Sequence, residues 1–490
     1  MDIGPDEQQL DWHDIDWRAV EKRVTNLRRR IFRATQSGQW NEVRSLMKLM
    51  LRSHSNLLAC VRKVTSENKG RKTAGVDRQV VLTPKARMKL VREMTECSAW
   101  KVKPARRVYI PKADGKQRPL GILTIKNRVA QAVVKNALEP SWEARFESHS
   151  YGFRPGRSCH DAIEQCFRRL NSSTHDKWIL DADVRAAFDT IDQSFVLNKL
   201  GQVPGKELIK QWLKAGYVEA EMFHDTEYGV QQGGVVSPVL ANVALDGLQA
   251  LLGSKFGYVR YADDFIVTAR SKEQIEAIKP TIEKYLEERG LALNTEKTKI
   301  VSIEDGFNFL GFNVRSYRGK CLIKPQKEKV LAFLKDIRQW LKSHRQVKAE
   351  AVIDVLSPRI VGWANYYRHV VSKEVFSYVE HQIWKALWQW CRRRHPNKTL
   401  HWIADKYFTM TAGNRWRFFA RTKTDTGETR TIYLSKISKI PIRRHVKVKG
   451  SASPDDPSLR EYWSMRAQST SRRNRERIAT SDKPLKGAEG

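Results

Sequence analysis

The chain has 490 residues and carries 89 Lys and Arg against 54 Asp and Glu, a formal net charge of +35 at pH 7. A solvated surface alone does not need such an excess, whereas a polyanionic partner does. No run of 18 apolar residues is present and no short apolar segment follows a basic start, so neither a spanning helix nor a signal peptide is expected.

Apolar content is ordinary at 41%, enough for two to four folded domains. The six cysteines, at 60, 97, 159, 166, 321 and 391, form no CxxC pair, which argues against structural zinc and a secreted disulfide framework. The class this leaves is a nucleic-acid-binding protein of the cytoplasm, with no membrane partner.

The first 70 residues read as helices. Apolar residues recur at three- and four-residue spacing from Trp17 and again from Trp40, with basic residues between. Asn68 to Asp77 is a basic loop punctuated by glycine, suited to a phosphate backbone or to a plain linker. At 106–122, two short strand-like runs flank Asp114-Gly115, a hairpin signal. Lys112, Lys116 and Arg118 surround that turn, and three cations on a hairpin can clamp a triphosphate. An exposed basic hairpin is the plainer alternative.

Lys126 to Arg145 is patterned as an amphipathic helix. The loop Ser150-Tyr-Gly-Phe-Arg-Pro-Gly-Arg-Ser then breaks it. Its Arg154, Arg157 and two aromatic residues suit stacking and phosphate contact, or a tight structural loop. Trp178 to Val184 reads as a buried strand that ends in acid at Asp183, with Asp181 on the same face. Asp189 and Asp192 fit the first turns of the helix that follows, where they favour its dipole. In Gly229-Val-Gln-Gln-Gly-Gly, two glycines let the backbone approach a ligand, and Ser237-Pro238 starts a helix.

Tyr258-Val-Arg-Tyr-Ala-Asp-Asp-Phe-Ile-Val-Thr reads as a hairpin with Asp263 and Asp264 at its turn. Adjacent carboxylates repel each other unless a cation lies between them, and hard oxygen ligands suit Mg²⁺. Ser271 to Gly290 is a capped helix, followed by strand-like pieces at 291–300 and 307–312. From about 325 the chain turns helical, basic and Trp-rich. Residues 391–450 hold 16 Lys and Arg against 3 Asp and Glu. Arg392, Arg393 and Arg394 are the densest cluster, interleaved with Trp384, Trp388, Trp390, Trp402 and Trp416, of which at least half are expected in helix core. The Ser-, Arg- and Lys-rich end of the chain has the composition of a disordered tail. If the strands of Asp183 and of Asp263 and Asp264 are neighbours, the three acids can hold two Mg²⁺ ions about 4 Å apart for nucleotidyl transfer.

The order RRVYIPKADGKQRPLGI, SYGFRPGRS, DADVRAAFDTID, GVQQGGVVSP, VRYADDFIV, LNTEKTK and NFLGF resembles the successive blocks of the bacterial group II intron reverse transcriptases, or maturases, over residues 70 to 420. The resemblance implies an α+β right-hand polymerase of fingers, palm and thumb, then a mostly helical maturase domain X and a basic C-terminal DNA-binding region. The expected division is 1–70 for an N-terminal extension and 71–315 for fingers and palm. Thumb and domain X take 316–420, the DNA-binding region 421–465 and a basic tail 466–490. Position by position, Asp183, Asp263 and Asp264 correspond to the catalytic metal ligands, with the Val184 carbonyl beside them. Phe188 takes the place of the gate against a ribose 2′-hydroxyl. Lys112 and Arg118 align with triphosphate contacts, and Gln232 with Gly233 aligns with the loop beside the incoming nucleotide. Phe309, Leu310, Gly311 and Phe312 resemble the primer grip. Lys297 resembles the basic residue after the palm helix.

The implied partners are an RNA template with a DNA primer, deoxynucleoside triphosphates, group II intron RNA and target DNA, with Mg²⁺ as cofactor. Many family members end in a cysteine-paired HNH endonuclease. The segment Pro454 to Trp463 resembles its lead-in, but no cysteine follows Cys391, so that activity is not expected. Two alternatives stay open: an RNA-binding splicing cofactor with weak polymerase activity, and a reverse transcriptase of another bacterial lineage.

Overall fold

The computed structural model describes residues 11–96, 102–111, 115, 117–171, 176–411, 414–423 and 427–468. The chain divides into two compact units. One comprises residues up to Ala162, Trp178–Ile300 and Val448–Arg466; the other comprises Ile163–Lys177 and Val301–Lys447.

In the first unit, the amphipathic runs fold as helices Trp17–Gln36, Trp40–Arg52 and His54–Arg62. Each presents an apolar stripe, and Val24, Ile31, Met47, Met50, Cys60 and Val61 bury it around helix Ile125–Glu143. Thr124 caps that helix through the Asn127 amide. The basic loop after Asn68 is fastened beside it, since Arg128 donates to the carbonyls of Gly70 and Thr73.

Two four-stranded sheets follow. Strands β1 (Ala105–Pro111) and β2 (Gln117–Ile122) pair antiparallel from Arg106↔Ile122 to Pro111↔Gln117, the hairpin that Asp114-Gly115 signals. β1 also pairs with β4 (Tyr217–Glu219), which pairs with β5 (Met222–His224). The second sheet has the order β6-β7-β3-β8, with β3 Trp178–Asp183, β6 Gly257–Tyr261, β7 Asp264–Ala269 and β8 Lys299–Ser302. Side chains alternate across such a sheet. Leu180, Ala182, Phe265, Val267 and Ala269 therefore face one way. They form one core with helices Ser237–Ala244 and Lys272–Glu287. Asp181, Asp183 and Asp264 face the other way.

The second unit holds a three-stranded meander of β9 (Phe307–Phe309), β10 (Phe312–Tyr317) and β11 (Lys320–Pro325). Helices Lys327–Ser343, Ala349–Tyr367, Lys373–Arg394 and Leu400–Tyr407 come next. A second antiparallel sheet closes the unit, built from β12 (Phe408–Thr411), β13 (Asn414–Lys423) and β14 (Thr429–Tyr433).

Three sequence expectations need correction. The helix opened by Arg185 stops at Thr190, and Asp192 caps a separate helix, Gln193–Leu200, by accepting from the Phe195 amide. A boundary at 315/316 would cut β10, and one at 420/421 would cut β13. Nor is 421–465 one region: residues from Val448 belong to the first unit. There Asp161 accepts from the Val448 amide at 2.8 Å, Arg28 pairs with Asp455 at 2.7 Å, and the Trp463 ring lies over Gly156.

Candidate active site

The register β3–β7 sets Asp183 directly opposite Asp264, and β6–β7 sets Tyr261 opposite Asp264. The turn is therefore Ala262-Asp263, one residue earlier than an Asp-Asp turn, and Asp264 already belongs to the strand. Ala262 holds φ +60°, a conformation that favours glycine, so the surroundings must impose it.

Arg260 is what imposes it. It lies on the helix-facing side of β6 and is 1% exposed. Its Nη1 donates to Asn242 Oδ1 at 3.0 Å and to the Ala262 carbonyl at 3.1 Å. Asn242 in turn donates to the Gly152 carbonyl at 2.9 Å. On the other side, Arg260 bridges Ser150 as a parallel strand would, accepting from the Tyr151 amide at 2.9 Å and donating its own amide to the His149 carbonyl at 3.0 Å. A Cβ on Gly152 would stand 2.2 Å from the Ala262 nitrogen. The Ser150–Ser158 loop is thus a cradle for the acidic turn.

That role overturns part of the reading of this loop. The Arg154 side chain is 0% exposed and pairs with Glu143 at 2.9 Å, while its Nη1 donates to the carbonyls of Glu147 and Ser150. It is a structural arginine, closed off from any phosphate. Arg157 donates to the carbonyls of Ser148 and Gly450 at 2.8 Å each. Burial and the neighbouring Arg154 lower its pKa to about 10, so it too is built into the fold. Phe153, exposed and at φ +61°, instead meets Phe188 edge-on at 6.1 Å.

The carboxylates crowd one another, and Lys297 and Arg118 offset this only in part. Burial first, and then Asp263, Asp183 and Asp181, push Asp264 up to about 7, against the pull of Lys297. Burial and Asp183 raise Asp263, opposed by its own amide, Arg118 and Lys297. Burial and Asp183 bring Asp181 to about 6. Asp183 Oδ2 accepts from Lys297 Nζ and from Asn294 Nδ2, each at 3.1 Å. Among the described residues no three His, Cys, Asp or Glu side chains converge closely enough to form a ready cage. The donor set nevertheless fits a divalent cation. It consists of hard carboxylate oxygens, three of them (Asp181, Asp263 and Asp264) held above their ordinary pKa by burial and mutual repulsion, with Asp183 paired to an ammonium. Val184 pairs with Leu293 through the Asp183 carbonyl and the Arg185 amide, a pattern that does not use the Val184 carbonyl.

The remaining predicted residues fall into place around this face or apart from it. Arg118 is exposed on β2, near enough to Asp263 for its charge to act there; Lys112 lies outside the described residues. The 229–234 loop ties Phe188 to β2, through Val230 N to Phe188 O and Gly121 N to Gln232 O at 2.7 Å. Gln232 Nε2 reaches Asp189 at 3.3 Å, and Gly233 holds φ +105° with Gly121 O where a Cβ would be. In the second unit, Leu310 and Gly311, both at positive φ, turn β9 into β10 with Phe309 opposite Phe312. Tyr366 donates to the Leu310 carbonyl at 2.8 Å and stacks on Phe312 at 5.2 Å. Arg392 and Arg393 are exposed, but Arg394 donates to the carbonyls of Arg345 and Val347, so it closes a loop instead of facing solvent. The residues missed in the sequence are Arg260, Asn242 and Asn294. Only Arg260 left a signal, a cation inside a strand otherwise fit for burial on both faces.

Residues 110–314 match the family described as reverse transcriptase (RNA-dependent DNA polymerase). Residues 12–94 match its N-terminal domain, and 330–408 match the group II intron maturase-specific domain. The chain is 31% identical to protein YkfC of Escherichia coli (strain K12), over 61% of this chain and 90% of YkfC. It is 27% identical to the group II intron-encoded protein LtrA of Lactococcus lactis subsp. cremoris, over 61% of this chain and 66% of LtrA. Among solved structures it has a distant likeness to a telomerase from Candida albicans, with 12% identity and a TM-score of 0.35 over 62% of this chain and 64% of that one. No described helix is long and apolar enough to cross a membrane. A strand-borne carboxylate set inside the reverse transcriptase match, with the N-terminal-domain match before it and the maturase match after it, places the chain in the family of group II intron-encoded reverse transcriptases and maturases.

Proposed function

We propose that this chain copies RNA into DNA from a DNA primer and binds its intron RNA to promote splicing and mobility, in the bacterial cytoplasm and nucleoid. The observation that carries the reading is the pairing of Asp183 against Asp264, with Asp263 on the adjoining turn. In right-hand terms, the β1–β2 hairpin serves as fingers, the sheet β6-β7-β3-β8 as palm, and the meander with helices from Lys327 as primer grip, thumb and domain X.

Asp183, Asp263, Asp264 and the Val184 carbonyl would hold Mg²⁺, which supplies charge to activate a primer 3′-hydroxyl and to neutralise pyrophosphate. Arg118 and Lys112 bind the triphosphate. Phe188, backed by Phe153, excludes a 2′-hydroxyl, and Gln232 with Gly233 lines the nucleotide's other side. Lys297 pairs with Asp183 at 3.1 Å and orients its carboxylate. Basic residues such as Arg392 and Arg393 meet RNA phosphates, and the stretch after 420 adds contacts to target DNA.

The test is extension of a DNA primer on an RNA template with deoxynucleotides and Mg²⁺. Wild-type protein should extend it, and Asp263→Ala should slow the rate by about 10³-fold or more, the order expected when a charge-stabilising group at the reacting centre is removed, with RNA affinity retained. Wild-type rates in Asp263→Ala would sink the assignment.

A further inference from the structure

The second unit holds a half-open pocket of about 430 Å³ between helix Lys373–Arg394, β13 and residues 434–438. Its size is in the range of small-ligand sites. One wall is aromatic. His381 and Trp384 line it with rings nearly parallel at 6.2 Å and 10°, and Trp388, outside the lining, stacks on Trp384 at 5.9 Å and 15°. Trp416 stands across Trp384 at 6.5 Å and 76°.

The same cavity holds unanswered hydrogen-bond donors. Trp384 Nε1 and Arg417 Nε are buried and find no partner among the described residues. Buried donors are rarely left so, and each costs free energy until an acceptor arrives. Glu380, already accepting from the Ser438 amide and hydroxyl at 2.8 and 3.1 Å, offers acceptor capacity opposite them. The rim is cationic. Arg417 lies over the Tyr433 ring at 4.3 Å, with Lys436 beside it, and burial lowers the pKa of both. Glu380 acts on both cations, and a bound phosphate would compete with it for them. Flat aromatic walls, two unpaired donors held within the lining residues, an acceptor and cations at the mouth together suit a planar heterocycle attached to a phosphate.

We propose that this cavity takes a single nucleobase turned out of an unpaired stretch of bound RNA, with its phosphate at Arg417 and Lys436. The proposal rests on the RNA-binding reading above. Its test uses the full-length protein and a 12-nucleotide single-stranded RNA, compared with the same RNA made abasic at one central position. Removing one stacked base should weaken binding about tenfold. Trp384→Phe keeps a ring and removes the indole N–H; Arg417→Gln removes the second donor and the charge from a half-exposed site. Each should bring the ratio of intact to abasic affinity toward one, while the slope of log affinity against log salt persists, because it reports phosphates bound elsewhere. A ratio that both variants leave at its wild-type value overturns the pocket and spares RNA binding. Absence of any salt-dependent RNA affinity in the wild type overturns both.

Discussion

Arg260 carries no charge to the substrate, yet the position of Asp263 depends on it. Its two bonds hold the Ala262 carbonyl against helix Ser237–Ala244 and keep a non-glycine residue at φ +60°. Arg260→Met should lower the single-turnover extension rate about 10- to 100-fold, the order expected when reacting groups are displaced by ~1 Å. The KM for deoxynucleotide should change little, and Arg260→Lys should restore part of the rate. Phe188→Val removes a wall and should raise ribonucleotide use relative to deoxynucleotide by roughly 10-fold or more. Unchanged sugar preference with a lowered Tm would make Phe188 a packing residue only. Asp264 offers a thermodynamic check. Its folded pKa, about 7, lies above the ordinary carboxylate value, so the stability it contributes is complete below about pH 4 and is lost as pH rises through 7. In EDTA, Asp264→Asn should therefore melt above wild type at pH 7.5, by an amount on the order of 1 kcal/mol after solvent screening, and level with it at pH 4. The juxtaposition of Asp183 and Asp264 was legible because each lies at an end of a run patterned as a strand. Arg154 was misread because burial, which decides between a phosphate and Glu143 as its partner, is a tertiary property.

The hairpin of β6 and β7 shows what strand patterning reveals and what it leaves out. Alternation identifies both strands, but a turn can slide by one residue without changing the pattern, and here tertiary contacts decide it. Tyr151, Gly152 and Asn242, distant in sequence, fix Ala262 and Asp263 as the turn. Gly152→Ala would place a methyl 2.2 Å from a backbone nitrogen, so the hairpin would have to move. Primer extension should fall by about 10²-fold, the order set by a displacement of roughly 1 Å at the reacting groups, while RNA binding is retained; wild-type activity would show that the cradle is not needed. The short helix after β3 was misjudged for a related reason. Asp192 reads equally as a first-turn residue and as a cap, and the left-handed Ala186 that interrupts the chain gives no compositional sign.

Across the whole chain, charge is the property that composition reports without ambiguity, although it does not say which cations are free. Arg394 closes a loop, whereas Arg392 and Arg393 are exposed. Replacing Arg392 and Arg393 with Ala should flatten the salt dependence of RNA binding by about one to two units of slope, roughly one for each phosphate that is no longer neutralised. Arg394→Ala should act mainly through stability. The return of residues 448–466 to the first unit bears on how the protein is made. Arg28 and Asp161 meet Asp455 and Val448 only after the whole of Val301–Lys447 has been synthesised, about 7 to 30 s later at ordinary elongation rates. During that interval Arg28 has Glu139 but not Asp455, and the loop at Gly156 lacks the Trp463 ring that covers it. The emerging polymerase unit must therefore stay unsealed while the maturase unit folds behind it, and its last fastening waits until translation has passed Arg466.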